Sequence, residues 1–237
     1  MIDTRTIKNL LFLDIETVPE EASFSKLSGE LQELYALKTA YQRKDDYTPE
    51  EFYERAGIWA EFGKIICISV GFFAQFEDQR AFRVTSFTGD EKSILLNFKE
   101  LLETHFSASQ KVLCAHNGKE FDFPFIARRM IIHQIELPKK LNLFGKKPWE
   151  IPHLDTMELW KFGDYKHFTS LKLLAQILNI PSPKDDIDGS DVARVFYQEK
   201  DLEKIVRYCE KDTITVAQLI LRFNNLSLLK DSEITRV

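Results

Sequence analysis

Cysteine is scarce in this 237-residue chain: there are three, no CxxC pair, and no histidines at zinc-finger spacing, so a disulfide scaffold and a zinc ribbon are both excluded. Glycine and proline are sparse too, at nine and eight, which rules out a collagen-like repeat and a Pro/Gly-rich disordered chain. No apolar run approaches the ~18 residues of a membrane span, and Met1-Ile2-Asp3-Thr4-Arg5-Thr6 lacks the basic head and apolar core of a signal peptide. A cytoplasmic location is therefore expected. Cys67, Cys114 and Cys209 are expected to be buried reduced thiols, far apart in apolar surroundings. Excess positive charge is missing as well. Thirty-two Lys and Arg stand against 37 Asp and Glu, a net charge of -5, and such a field repels polyanions.

What is present is ordinary globular chemistry: 44% hydrophobic residues, 29% charged and 12% aromatic, enough for a sizeable core. No linker divides the composition, so one domain over 1–237 is expected. Leu10 to Ile15 (LLFLDI) is a short apolar run ending at Thr17-Val18-Pro19, which predicts a buried strand. Residues 20–60 are acidic, aromatic and helix-prone, with Thr48-Pro49 as an N-cap and first-turn pair, and predict a helical insertion. Lys64 to Phe76 and Arg80 to Phe87 alternate around Glu77-Asp78-Gln79 and predict a hairpin. A helix over 90–106, a strand over 111–115 and a helix over 121–132 follow. His153-Leu154-Asp155 predicts one more short strand, and the remainder is helical at 171–178, 191–197 and 202–223. That order predicts an α/β fold with a mixed central sheet and helices on both faces.

Three groups of residues carry chemistry. Asp14 and Glu16 are two apart on a strand, so both carboxylates point to one side at the end of an apolar run. Two anions there are costly without a cation between them, and no Lys or Arg lies close in sequence. A divalent metal is the economical explanation; capping of neighbouring helices is the alternative. The second group is Asn117-Gly118-Lys119-Glu120-Phe121-Asp122, where a strand turns into a helix and Asp122 reads equally as a first-turn cap. The third is Tyr208-Cys209-Glu210-Lys211-Asp212, where a spacing of four puts Tyr208 and Asp212 on one helix face. A tyrosine so placed is more often core than catalytic.

Together FLDIET, HNGKEFD and YCEKD stand in the order and character of three exonuclease motifs, and the chain from Phe12 to about Val216 resembles the DEDD superfamily of 3′ to 5′ exonucleases. Arg207 occupies the position of the histidine in the histidine-bearing relatives, five before Asp212, whereas Tyr208 lies four before it, so the chain resembles the tyrosine-bearing (DEDDy) branch. That branch includes the proofreading domain of family B DNA polymerases. HLDTMEL and DIDGSDV, followed by VRYCEKD, look like stand-alone bacterial proteins similar to that domain.

The resemblance implies an RNase H-like fold and two divalent ions, Mg²⁺ or Mn²⁺, about 4 Å apart around an in-line displacement. It implies Asp14, Glu16 and Asp212 as ligands of the first ion, Asp14 bridging to the second, and Asp122 reaching that ion directly or through water. Tyr208 would orient the attacking water, and 5′-mononucleotides would leave one at a time from a single-stranded 3′ end. DNA is expected ahead of RNA; an exoribonuclease and an inactive nucleic-acid-binding module are the alternatives. Asn117 and Phe121 match further positions of the second motif, for hydrogen bonding and stacking on the terminal nucleotides, with Phe121 reading equally as core. Asp155 reads as the cap of a helix beginning at Met157.

The substrate strand needs cations. Lys139, Lys140, Lys146 and Lys147 share a loop with Phe144 and Trp149, and Lys161, Lys166, His167 and Lys172 follow; a solvated loop is the alternative. Arg128 and Arg129 are weaker candidates. A replication role would need a separate polymerase partner, which no sequence feature names. Two bound divalent ions would bring the formal charge to about -1 and make the cleft locally cationic.

Overall fold

The computed structural model describes residues 2–44, 46–77, 79–164, 168–181 and 187–237. A short helix α1 (Thr4–Ile7), with the Asp3 carboxylate accepting from the Arg5 N–H, leads into β1 (Leu10–Pro19). β1 pairs antiparallel with β2 (Gly63–Gln75), which pairs antiparallel with β3 (Ala81–Thr88). On its other side β1 runs parallel to β4 (Val112–Ala115), and β4 parallel to β5 (Leu154–Asp155). The sheet order is β5-β4-β1-β2-β3-β6, where β6 (Ile234–Arg236) is parallel to β3. Three antiparallel strands with parallel strands beyond them are the mixed α/β sheet that the sequence predicts. β6 is an addition that three residues with no periodic pattern do not announce.

β1 decides where the chemistry lies. Its side chains alternate, so Leu11, Leu13 and Ile15 enter one layer with Ile94, Leu95 and Phe98 of α3 (Glu91–Thr104) and Phe125, Ile126 and Met130 of α4 (Asp122–Ile132). Leu10 and Phe12 enter the opposite layer with Val216, Ala217 and Ile220. Those three belong to the last long helix, at Leu202–Phe223, and Asp14 and Glu16 continue their row. A buried strand thus carries its apolar residues past the core and ends on two acids.

The insertion is helical. It holds a 3₁₀ turn at Phe24–Lys26, α2 (Gly29–Arg43, capped by Ser28) and a 3₁₀ helix at Glu51–Ile58. The Thr48-Pro49 start predicts an ordinary helix; the tighter winding brings Gly57 onto β1, where a Cβ would lie 3.0 Å from the Val18 carbonyl carbon. Tyr35, Phe52, Tyr53 and Phe62 give the insertion its own aromatic core, and the Tyr35 hydroxyl donates to the Phe52 carbonyl at 2.8 Å.

The second half adds α5 (Thr156–Lys161), α6 (Leu171–Ile177), α7 (Val192–Arg194) running into a π turn at Val195–Glu199, and α8 (Leu202–Phe223). Asp201 caps α8 by accepting from the Lys204 N–H at 2.9 Å. Among the described residues no helix is long and apolar enough to cross a membrane.

Candidate active site

Asp14 and Glu16 converge on α8. Carboxylate oxygens of both and the Cys209 sulfur all lie within 4.8 Å of one another, and Glu16 and Asp122 are 7% and 3% exposed. Burial pushes the Asp14 carboxyl well above its ordinary range, and the charges of Glu16, Asp212 and Asp122 push it further. Glu16 is raised in the same way, by burial first and then by Asp212. Asp122 is pushed up to about 7, again chiefly by burial. Among the described residues no ion pair reaches Asp14, Glu16 or Asp122.

Tyr208 and Asp212 do share the face of α8 that meets this cluster, and the Tyr208 hydroxyl hydrogen-bonds the Asp212 carboxylate. Burial and the surrounding carboxylates drive the phenol far above its ordinary range, so Tyr208 stays protonated. All five residues expected in the catalytic centre are thus brought together.

The loop that delivers Asp122 is held by Asp155. Its carboxylate accepts from the N–H groups of Asn117 at 2.9 Å and Lys119 at 3.1 Å, besides capping α5 through Met157 at 2.9 Å and Glu158 at 3.3 Å. The cap is as expected; the grip on the loop is not, because it joins residues 38 apart. It fixes Asn117 in the left-handed region at φ 62°. Next to it only glycine fits, since a Cβ on Gly118 would lie 2.4 Å from that of Ala115. The Asn117 side-chain oxygen is buried and has no partner among the described residues. Phe121 is half-buried, 5.4 Å from the Phe125 ring, with part of its surface left open.

Two cysteines depart from expectation. All three are buried and free, but Cys67 and Cys209 are not in separate apolar surroundings: their thiols hydrogen-bond, because Cys67 stands opposite Glu16 in the β1–β2 register and α8 packs over both. The Cys209 thiol also donates to the Asp14 carbonyl at 3.4 Å. From Cys67 a chain of contacts runs through Ser69 and Ser86 to Glu210 and out to Arg236. Sequence offered no signal for this, since the sulfurs meet only through the fold.

The expected cations divide. Lys146 is exposed and lines a groove of about 370 Å³ with Lys119, Arg128 and Phe144. Lys147 is exposed and lies 5.3 Å over the Trp149 ring, itself exposed like Phe144. Lys140 is not available to a substrate, because its ammonium donates to the carbonyls of Ala108 and Lys111 and ties the loop to the turn before β4. Arg129 is buried at 4% exposure between Glu91 and Glu20, a structural ion pair. Lys166 and His167 lie outside the described residues.

No curated protein matches the chain. Among solved structures, the family B DNA polymerase from the hyperthermophilic archaeon Pyrobaculum calidifontis superposes with a TM-score of 0.51 at 14% identity, over 90% of this chain and 24% of that one. The chain therefore spans about a quarter of that polymerase, and the likeness shows the fold. A family described as "Predicted 3'-5' exonuclease related to the exonuclease domain of PolB" matches residues 58–233, which contain Asn117, Phe121, Asp122, Tyr208 and Asp212 and begin after Asp14 and Glu16. By that match, over most of its length, the chain belongs to the predicted 3′–5′ exonucleases related to the exonuclease domain of PolB.

Proposed function

We propose that the chain is a metal-dependent 3′ to 5′ exonuclease of the tyrosine-bearing DEDD branch, releasing 5′-mononucleotides from single-stranded DNA. The observation that carries this reading is the burial of Glu16 and Asp122 beside a half-buried Asp14, all three with raised proton affinity and, among the described residues, no ion pair, in the field of Asp212. Buried carboxylates without a cation are a cost that a folded chain keeps where a cation is to be bound.

The donor set fits Mg²⁺ or Mn²⁺, being carboxylate oxygen throughout. Cys209 does not turn it into a zinc site: burial keeps its thiol protonated, and it already donates to the Asp14 carbonyl. Asp14, Glu16 and Asp212 would hold one ion, with Asp14 and Asp122 serving the second. Two such ions supply polarisation of the scissile phosphate, a more acidic attacking water and charge to stabilise the departing 3′-oxygen.

The remaining work falls to the chain itself. Tyr208, a neutral phenol anchored on Asp212, orients the water by hydrogen bonding and does not act as a base. The unpartnered Asn117 oxygen accepts from a hydroxyl or base N–H of the terminal nucleotide, and the open part of Phe121 stacks on its base. Lys146 and Lys147, with Trp149, attract the strand.

Release of mononucleotides from a 3′-labelled oligonucleotide in Mg²⁺ or Mn²⁺ tests the reading. Activity no higher than that of Asp14→Ala would overturn it. Paired DNA and RNA substrates of one sequence decide the sugar; faster cleavage of RNA would make the chain an exoribonuclease.

A further inference from the structure

α8 has a second polar face. Lys204, Tyr208, Lys211, Thr215 and Gln218 recur at steps of four and three, so they form one stripe, with Arg207 beside it. This stripe walls a groove of about 750 Å³, closed on the far side by Lys230 and Arg236. Among the described residues five cations line it against one acid, Asp231, on a chain whose net charge is -5. The concentration is local, and its place is specific. Tyr208 belongs to both the groove and the carboxylate cluster, so the groove opens beside the candidate active centre. From Lys204 to Gln218 the helix rises about 21 Å, room for several nucleotides of an extended strand.

Lys204 and Arg207 are held by long ion pairs, and Lys230 is exposed. Arg207 faces Glu203 at 3.8 Å and Lys204 faces Glu199 at 3.6 Å, pairs in which the Arg207 and Glu203 side chains are 64% and 92% exposed. Such pairs are held weakly and exchange readily for phosphate. Arg236 is anchored by Glu210 and, through Ser86 and Ser69, connects to the Cys67 thiol beside the site. Ile187, Ile214 and Ile234 give the groove an apolar floor between the cations. Alternating charge and apolar surface suits a single strand, whose phosphates and bases lie side by side.

We propose that this groove is the track for the substrate strand 5′ of the terminal nucleotides, holding its phosphates along α8 while the 3′ end sits among the carboxylates. The proposal rests on the exonuclease reading for its direction, and its test is independent of catalysis. The full chain in Ca²⁺ is titrated with fluorescein-labelled four- and twelve-nucleotide oligothymidylates carrying a 3′-terminal phosphorothioate, at several salt concentrations.

The wild type should bind the longer strand about tenfold more tightly. Lys204→Ala/Arg207→Ala/Lys230→Ala should lose that length advantage, with the slope of log K against log salt falling by about 2, from ~0.7 per lost phosphate contact. Lys204→Arg/Arg207→Lys/Lys230→Arg should retain both, which separates charge from misfolding. An alanine variant that keeps the length advantage and slope overturns the groove, as does a loss found in Lys146→Ala/Lys147→Ala instead. Failure of the wild type to release nucleotides would sink the exonuclease reading and leave these isotherms to judge the groove alone.

Discussion

Replacing Asp122 by Asn should make the metal-free protein more stable, and the gain should grow with pH. Asp122 is buried, and its carboxyl is raised from 3.8 to about 7. A group raised in the folded state contributes stability that is complete below its unfolded pKa and is lost as pH rises toward and through the folded one. Between pH ~5.5 and ~7.5 the wild type should thus lose about 2 kcal/mol that the neutral asparagine does not lose. For a chain of this length that is a relative Tm shift of about 4–8 °C.

Other groups titrate in that window, and the comparison removes them. His153, pushed down to about 4 mainly by burial, gains stability as pH rises, but does so in wild type and variant alike. Asp14 and Glu16 feel the Asp122 charge, so its removal eases them in the same direction. The assay is denaturant unfolding of both proteins in EDTA at the two pH values. Adding Mg²⁺ at the higher pH should stabilise the wild type by mass action, and the variant less. Parallel stability curves for the two proteins would refute the argument that these carboxylates are buried uncompensated.

Tyr208→Phe should lower kcat on the order of 10²-fold with little change in KM, since it removes a group that orients water and leaves the carboxylates in place. Asp155→Ala strips acceptors from four N–H groups and should cost about 3 kcal/mol, seen as a lowered denaturation midpoint, together with lost activity as the Asn117 turn loosens. Gly118→Ala should cost about 1–3 kcal/mol through its clash with Ala115, measured the same way. Arg129→Ala should destabilise by about 3–5 kcal/mol while KM for oligonucleotide stays unchanged; a raised KM without destabilisation would return Arg129 to the substrate.

How much of this is legible in sequence follows from range. The Asp14/Glu16 pairing needs only the two-residue strand period, and the Tyr208/Asp212 face needs only the helix turn. Both are local, and both are where the sequence places them. Asp155 gripping residues 38 positions earlier, Arg129 closing on Glu91, and Cys67 meeting Cys209 are products of topology, to which neither period refers. The lysine-rich loop shows the opposite failure. Composition grouped Lys140 with Lys146 and Lys147, but only the folded chain shows Lys140 spending its protons on two carbonyls. The cationic groove was invisible for the same reason: Arg236 joins the α8 stripe through β6, a strand that the sequence does not announce, and Lys230 through the turn that leads into it.

Glu91 shows why burial alone would have been a poor guide to the site. It is as enclosed as Glu16, at 9% against 7% exposure, and burial pushes its carboxyl upward too. Yet hydrogen bonds from Arg129, the Ile65 N–H and His133 outweigh that push, and Glu91 ends below its ordinary range. Two glutamates equally removed from water, one on β1 and one opening α3, are therefore displaced in opposite directions. The difference is whether the fold supplies the compensating cation. Around Glu91 it does, with Arg129, and the result is a structural pin between α3 and α4. Around Asp14, Glu16 and Asp122 it supplies further carboxylates, an arrangement that adds cost at every step of folding without a metal. A chain selected for stability alone would place an Arg there, as it does beside Glu91. The consequence is directional: Glu91→Gln should weaken the fold by unpairing Arg129, whereas Asp122→Asn should strengthen the metal-free fold. One pair of unfolding curves at pH ~7.5, with both variants against wild type, sets the two kinds of buried acid apart by sign.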